Sequence, residues 1–333
     1  MAHQVWNRTD SDYMKPNSQT KRIAYIDTTK AICIFLMIVG HWNSNELLSD
    51  YIYSFHMPAF FVVTGYLYRP HAWFKTLMAY TIPIMVYSII NCLIQIGLGT
   101  ISISSITFPD IIRNVFQYRY GLGESLFNGI WFLWALLALR FLFGDIKLLK
   151  GLRRHYLLIA LAAAIYMTFE YRLISIDTLF RGYYIGRLIP CLPFFCFGLY
   201  LKDTKWTPQL IANIKYIIPL TFSFMVMPVV NGRCDIYSNI YGYSYFIAMT
   251  NALLTTLLLF WTTFKIPANK FIETISKGTL VILGMHMPLL RVLDKLLPQR
   301  ISFFFPFIVI VLCYYITLFC ERYCPILLGK IKH

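Results

Sequence analysis

A lysine and a histidine stand eleven positions apart in a run otherwise apolar enough to cross a bilayer: Asp27-Thr28-Thr29-Lys30, then Ala31 to Gly40, then His41. A cation and an imidazole rarely sit in hydrocarbon without a task. On a helix turning about 100° and rising about 1.5 Å per residue, eleven steps bring Lys30 and His41 to one face, roughly 16 Å apart along the axis. That face offers a positive group at one membrane surface and a titratable base towards the other. Neutral imidazole has a pKa near working pH and can take a proton from a hydroxyl. A donor entering from the first side and a hydroxyl acceptor from the second could meet at His41. An acyl transfer needs little beyond such a base, a held thioester and a donor for the oxyanion.

Other residues could join this chemistry, each with a plainer job to weigh against it. His56 and His286 both lie in His-Met-Pro triplets at depths similar to His41. Either could line a site, or could bond a carbonyl freed by the proline as packing glue between helices. Asp27, three residues before Lys30, could simply pair with it. Arg69 and Lys75 flank the short turn Arg69-Pro70-His71-Ala72-Trp73-Phe74-Lys75. Their charges could bind phosphate or only mark the inner side of the membrane. Phe60, Phe61, Thr64 and Gly65 mix bulk with small residues, as a close helix crossing requires. Arg187 could meet an anionic acceptor or snorkel to the interface. The tyrosines at 237, 241, 243 and 245 read as an aromatic belt, with sugar stacking as the competing use. No Gly-x-Ser-x-Gly elbow, phosphate-binding glycine loop or metal-ligand cluster is present. The eight cysteines form no Cys-x-x-Cys pair and read as small apolar residues.

The elements that must position these groups follow from composition. Of 333 residues, 58% are hydrophobic, 17% aromatic and only 14% charged, the pattern of an all-α polytopic membrane protein. The formal charge of +15 comes in small groups between apolar runs rather than as a stripe on a soluble domain, which argues against nucleic acid as a partner. Apolar runs of about twenty residues predict helices at about 23–42, 51–68, 74–98, 129–146, 155–170, 183–201, 214–230, 243–264, 278–296 and 302–321. About ten transmembrane helices place both termini on one side, and most of the lysine and arginine between spans then falls inside, giving an N-in, C-in topology. Residues 1–22 read as a cytosolic tail, because no small-residue cleavage pattern follows the first apolar run; 23–323 form the membrane domain and 324–333 a second cytosolic tail. The break at about 100–128 predicts an outer loop with an interfacial helix.

Two stretches carry a family resemblance. Ile26-Asp27-Thr28-Thr29-Lys30 through Gly40-His41 resembles the opening helix of acyltransferase family 3, the membrane-embedded O-acyltransferases that include fucose O-acetylase-like enzymes. In that family a basic residue, usually arginine, precedes the catalytic histidine by the same interval; here Lys30 stands in its place. Phe55-His56-Met57-Pro58-Ala59-Phe60-Phe61-Val62-Val63-Thr64-Gly65-Tyr66 is similar to the family's second signature, with Thr64 replacing the usual serine. Trp131-Phe132-Leu133 and Gly284-Met285-His286-Met287-Pro288 match more loosely. The resemblance implies a multi-pass inner-membrane enzyme with His41 as general base. A cytosolic acyl-CoA, most simply acetyl-CoA, would be held by Lys30, Arg69 and Lys75, and the acceptor would be a hydroxyl of a cell-surface or lipid-linked glycan. No permanently bound cofactor or metal is implied. Asp27, His56, Thr64, Trp131, Arg187 and His286 are candidate site-lining residues. The competing class is a transporter or flippase of a glycan or lipid-linked intermediate, whose buried histidines would relay protons. The spans show no repeated halves and almost no acidic residues, which weighs against it.

Overall fold

Lipid offers no hydrogen-bond partners, so a chain of this composition must pair its backbone groups within each segment, and helices result. The computed structural model describes residues 22–42, 45–102, 107, 109, 130–173, 187–211, 213–267 and 269–331. In chain order the helices are α1 (Ala24–Trp42), α2 (Glu46–Tyr53), α3 (His56–Leu67), α4 (Trp73–Gly97), α5 (Ile130–Arg140) and α6 (Tyr156–Leu173). They continue with α7 (Leu188–Asp203), α8 (Ile214–Asn231), α9 (Tyr245–Phe264), α10 (Lys270–Lys277), α11 (Thr279–Leu296) and α12 (Phe305–Tyr323). Among the described residues the sheet content is one antiparallel pair, β1 (Cys234–Asp235) with β2 (Ile240–Tyr241), in the register Cys234 to Tyr241. The tail before residue 22 and the loop helix expected between 100 and 128 fall almost wholly outside the described residues.

Among the described residues, four helical stretches are long and apolar enough to cross a membrane: Ala24–Trp42, Trp73–Gly97, Tyr245–Phe264 and Gln299–Tyr323. Trp131–Gly144 and Lys215–Asn231 are shorter apolar helices. The helix expected over 51–68 is two helices instead. α2 begins at Glu46, where the Asn45 side chain caps it by accepting from the Leu48 amide at 3.0 Å, and it ends at Tyr53. The chain then turns through Ser54 and Phe55 before α3 starts at His56. Ser54 Oγ donates to the Tyr51 carbonyl at 2.8 Å, and the buried Asn251 of α9 donates to Ser54 Oγ at 3.4 Å. Tertiary contacts therefore hold the turn, which is why no glycine or proline marks it. The stretch read as a C-terminal tail is tied down as well. Pro325–Leu328 form a 3₁₀ turn, the Leu327 carbonyl accepts from Tyr87 Oη at 3.0 Å, and Leu328 is buried.

Among the described residues, a close helix crossing joins α3 and α7. A Cβ on Gly65 would stand 2.0 Å from the Phe195 carbonyl oxygen, and one on Gly198 would stand 2.0 Å from that of Val62. Only glycine at both places lets the two backbones meet, which is the role small residues play where lipid gives helices no hydrophobic reason to associate. Phe61 and Phe195, both fully buried, flank the crossing. α1 lies at the centre of the bundle, against α2, α3, α9, α10, α11 and α12. Lys30 and His41 are thereby placed among other helices rather than towards lipid.

Candidate active site

At the C-terminal end of α1, His41 is exposed while its neighbours Ile38 and Gly40 are buried. Gly40 allows α2 to come close: a Cβ there would stand 3.2 Å from Ile52 Cγ2 and 3.5 Å from Tyr53 Cε2. Tyr53, the last residue of α2, brings its hydroxyl within 3.2 Å of His41 Nδ1. The His286 ring of α11 lies 5.2 Å from the His41 ring, centroid to centroid. Tyr53 stands edge-on to His56 at 5.2 Å. The three histidines are thus brought together, with a tyrosine between two of them. The sequence motifs marked the imidazoles; Tyr53 was missed, because a continuous 51–68 helix hides the turn that aims it.

Two of these imidazoles have a fixed tautomer. His56 Nδ1 lies 2.7 Å from the Ile52 carbonyl and His286 Nδ1 2.8 Å from the Ile282 carbonyl. A carbonyl only accepts, so each Nδ1 carries the proton and each Nε2 presents a lone pair. Among the described residues, His286 Nε2 is buried without a hydrogen-bond partner. The carbonyl that His286 uses is not the one Pro288 leaves without its helical amide: α11 runs through Pro288, and Ile282 lies four residues before the imidazole. Pro58 stands in the first turn of α3, where a missing amide is tolerated. While neutral, His56 and His286 can receive a proton or a hydroxyl's hydrogen bond at Nε2, but cannot donate from it.

The β1–β2 hairpin stands beside this group, and the Asp235 carboxylate is near enough to act electrostatically on both His41 and Tyr53. Asp235 itself accepts from the Tyr237 amide at 3.0 Å and from Ser238 Oγ at 2.6 Å. Arg187 does not snorkel. It is buried, and its Nε donates to the Tyr237 carbonyl at 3.0 Å. Trp131 packs its ring 5.9 Å from that of Tyr237 and 6.3 Å from Phe61. Both residues therefore brace the hairpin loop. The tyrosines are not a uniform belt: Tyr241 and Tyr245 are buried against each other, whereas Tyr243 is exposed.

The N-terminal end of α1 carries the cations. Arg22 grips Asp27 with two bonds, Nε to Oδ2 at 2.8 Å and Nη2 to Oδ1 at 2.6 Å, and Ser276 Oγ donates to Asp27 Oδ1 at 2.6 Å. These bonds raise the Arg22 pKa above its ordinary value, outweighing the cost of partial burial. Asp27 is thus satisfied by Arg22 and Ser276, and Lys30 turns to a different group. Its Nζ donates to the Ser276 carbonyl at 2.6 Å. Thr64 bonds its own helix, Oγ1 to the Phe60 carbonyl at 2.8 Å.

Tyr66 meets Tyr25 hydroxyl to hydroxyl at 3.0 Å, which places the C-terminal end of α3 beside the N-terminal end of α1. The turn after α3 therefore lies on the same side as Lys30. There the Tyr68 ring stands under two guanidinium groups, Arg140 at 5.2 Å and Arg153 at 5.5 Å, and Lys202 Nζ donates to the Tyr68 carbonyl. Arg140 Nη2 donates to the Arg69 carbonyl at 2.9 Å, and Arg153 reaches Asp203 at 3.0 Å. Lys75 stands in the first turn of α4, while Arg69, an exposed residue, belongs to a cationic group with Arg140, Arg153 and Lys202. The last three appear in the sequence only as charge. Among the described residues, no three His, Cys, Asp or Glu are placed to hold a metal ion.

Comparison with known proteins gives two findings. Residues 23–320 match the family model described as "Acyltransferase domain". The chain is also similar to the nodulation protein NolL of Mesorhizobium japonicum, 26% identical over 230 residues, which is 62% of this chain and 56% of that protein. The chain thus matches little more than half the length of this curated relative. No solved structure matches it.

Proposed function

We propose, since the chain belongs to acyltransferase family 3, that it is an inner-membrane O-acyltransferase moving an acetyl group from cytosolic acetyl-CoA to a hydroxyl of a cell-surface or lipid-linked glycan. In this reading the bundle crosses the membrane about ten times with both termini inside. The N-terminal end of α1 then faces the cytosol and the histidine group lies towards the outer side. The observation that carries the reading is the division of one helix between two chemistries: Lys30 among cations at one end, His41 among imidazoles at the other.

The donor's phosphates would meet Arg69 and Lys75, with Arg140, Arg153 and Lys202 adding charge, and its thioester arm would run inward past Lys30. Lys30 offers a point charge and rotatable protons rather than the planar fork of an arginine. His41 Nε2 takes the proton of the acceptor hydroxyl as that oxygen bonds to the thioester carbonyl carbon. The tetrahedral intermediate collapses by breaking the carbon–sulfur bond, and the imidazolium returns its proton to the departing thiolate. An ester and free CoA thiol result, with His41 neutral again. His56 and His286 present lone pairs to the same space and suit further hydroxyls of the acceptor.

Calorimetric titration of acetyl-CoA into the solubilised full chain, beside Lys30→Ala and Arg69→Ala, tests the reading. Saturable binding that either change weakens supports it. Absence of binding by folded wild-type protein overturns it in favour of a transporter.

A further inference from the structure

An imidazole can act as a base at only one nitrogen, and its two neutral tautomers differ little until something bonds one of them. His56 and His286 have that bond from backbone carbonyls on Nδ1. Among the described residues, the group that stands at His41 Nδ1 is not a carbonyl but the Tyr53 hydroxyl, at 3.2 Å, with the tyrosine ring edge-on 6.0 Å away. The placement is built from several directions. Gly40 opens the space against Ile52 and Tyr53, α2 ends at Tyr53, and the Ser54 turn is held from α9 by Asn251.

We propose that Tyr53 is the positioning residue of His41: its hydroxyl oxygen accepts the Nδ1 proton, which keeps Nε2 as the bare nitrogen facing the acceptor. All three imidazoles then follow one pattern, with the proton on Nδ1 and Nε2 unprotonated. The inference rests on the reading of His41 as base. Were the hydroxyl to donate instead, Nε2 would carry the proton and no base would face the hydroxyl. As an acceptor, Tyr53 fills the place that a carboxylate fills in a catalytic triad, fixing the tautomer and stabilising the imidazolium without taking its proton. Among the described residues, the titratable and charged groups around His41 are Tyr53 on α2, His56 on α3, His286 on α11 with Arg291 acting on it, and Asp235 on β1 with Arg233 beside it.

The test uses the full chain in lipid nanodiscs with ¹⁵N-labelled histidine, and His41→Gln to assign its signals. Wild type is expected to show His41 protonated at Nδ1, and Tyr53→Phe a mixture of tautomers. A second readout is thiol release from acetyl-CoA with water as acceptor. In Tyr53→Phe, turnover should fall by roughly tenfold or more with the KM for acetyl-CoA unchanged. The acid limb of the rate profile should move to lower pH, because an imidazolium that has lost an acceptor gives up its proton more readily. A wild-type His41 protonated at Nε2 overturns the proposal whether or not any variant folds. So does an acid limb that moves to higher pH, or one that does not move. Undiminished thiol release in His41→Gln would instead sink the base reading, and the tautomer measurement would still judge the geometry around Tyr53.

Discussion

At the scale of single residues, the two ends of α1 should fail in different ways when changed. His41→Ala removes the proposed base but no donor contact, so acetyl-CoA should still bind while thiol release falls by about 10²- to 10⁴-fold. Lys30→Ala should do the reverse in order of severity. Loss of a charge-assisted contact of about 1.5–3 kcal/mol weakens donor binding roughly ten- to a hundredfold, and Lys30→Arg should restore most of it. Calorimetry and thiol release on the same preparations separate the two. Both residues were legible in the sequence because the 3.6-residue period alone puts them on one face. Tyr53 was not, since the turn at Ser54 is held by Asn251, nearly two hundred positions away. Nor did the sequence decide whether Asp27 would pair with Lys30; the structure gives Asp27 to Arg22 and Ser276.

At the scale of elements, the α3–α7 crossing should tolerate no added methyl group. Gly65→Ala or Gly198→Ala forces a Cβ against a backbone carbonyl. Overpacking of this kind costs about 1–3 kcal/mol and should lower the thermal unfolding midpoint by several degrees. Gly97 supplies the control, because no atom of the described residues lies within 4 Å of a Cβ there and Gly97→Ala should leave the midpoint in place. The small residues of α3 announced a close crossing in the sequence. Its partner could not be read, since Gly198 sits in an apolar run with no spacing that points back to residue 65. Helix existence was legible throughout and helix ends were less so, because apolar composition marks the spans but not the turn chemistry between them.

At the scale of the whole molecule, the fold gathers cations that the sequence keeps apart. Lys30, Arg69, Arg140, Arg153 and Lys202 lie towards one pole, and Asp27 and Asp203 are among the carboxylates that take up part of the charge there. Donor binding should therefore weaken steadily as salt is raised, since screening acts over about 10 Å at 0.1 M ionic strength. A titration of acetyl-CoA at several salt concentrations checks this, with the dephosphorylated thioester acetyl-pantetheine as the comparison that should barely respond. Saturating acetyl-CoA should also raise the unfolding midpoint of wild type, by an amount equivalent to about 2.7 kcal/mol at a hundredfold excess over Kd. Arg69→Ala should lessen that gain. Nothing in the spacing of Arg140, Arg153 and Lys202 announces that they converge on Tyr68, because their positions alternate with apolar runs and the topology alone unites them.

The glycine contact between α3 and α7 also bears on motion. Two backbones in direct contact cannot slide or part by small steps, for any shift drives a carbonyl into a neighbouring main chain or exposes a groove that no side chain fills. α3 and α7 must then move as one body. In the proposed reaction, room for a bulky acceptor at His41 is expected to come from a helix outside this pair, such as α2, which meets α1 through the Ile52 and Tyr53 side chains.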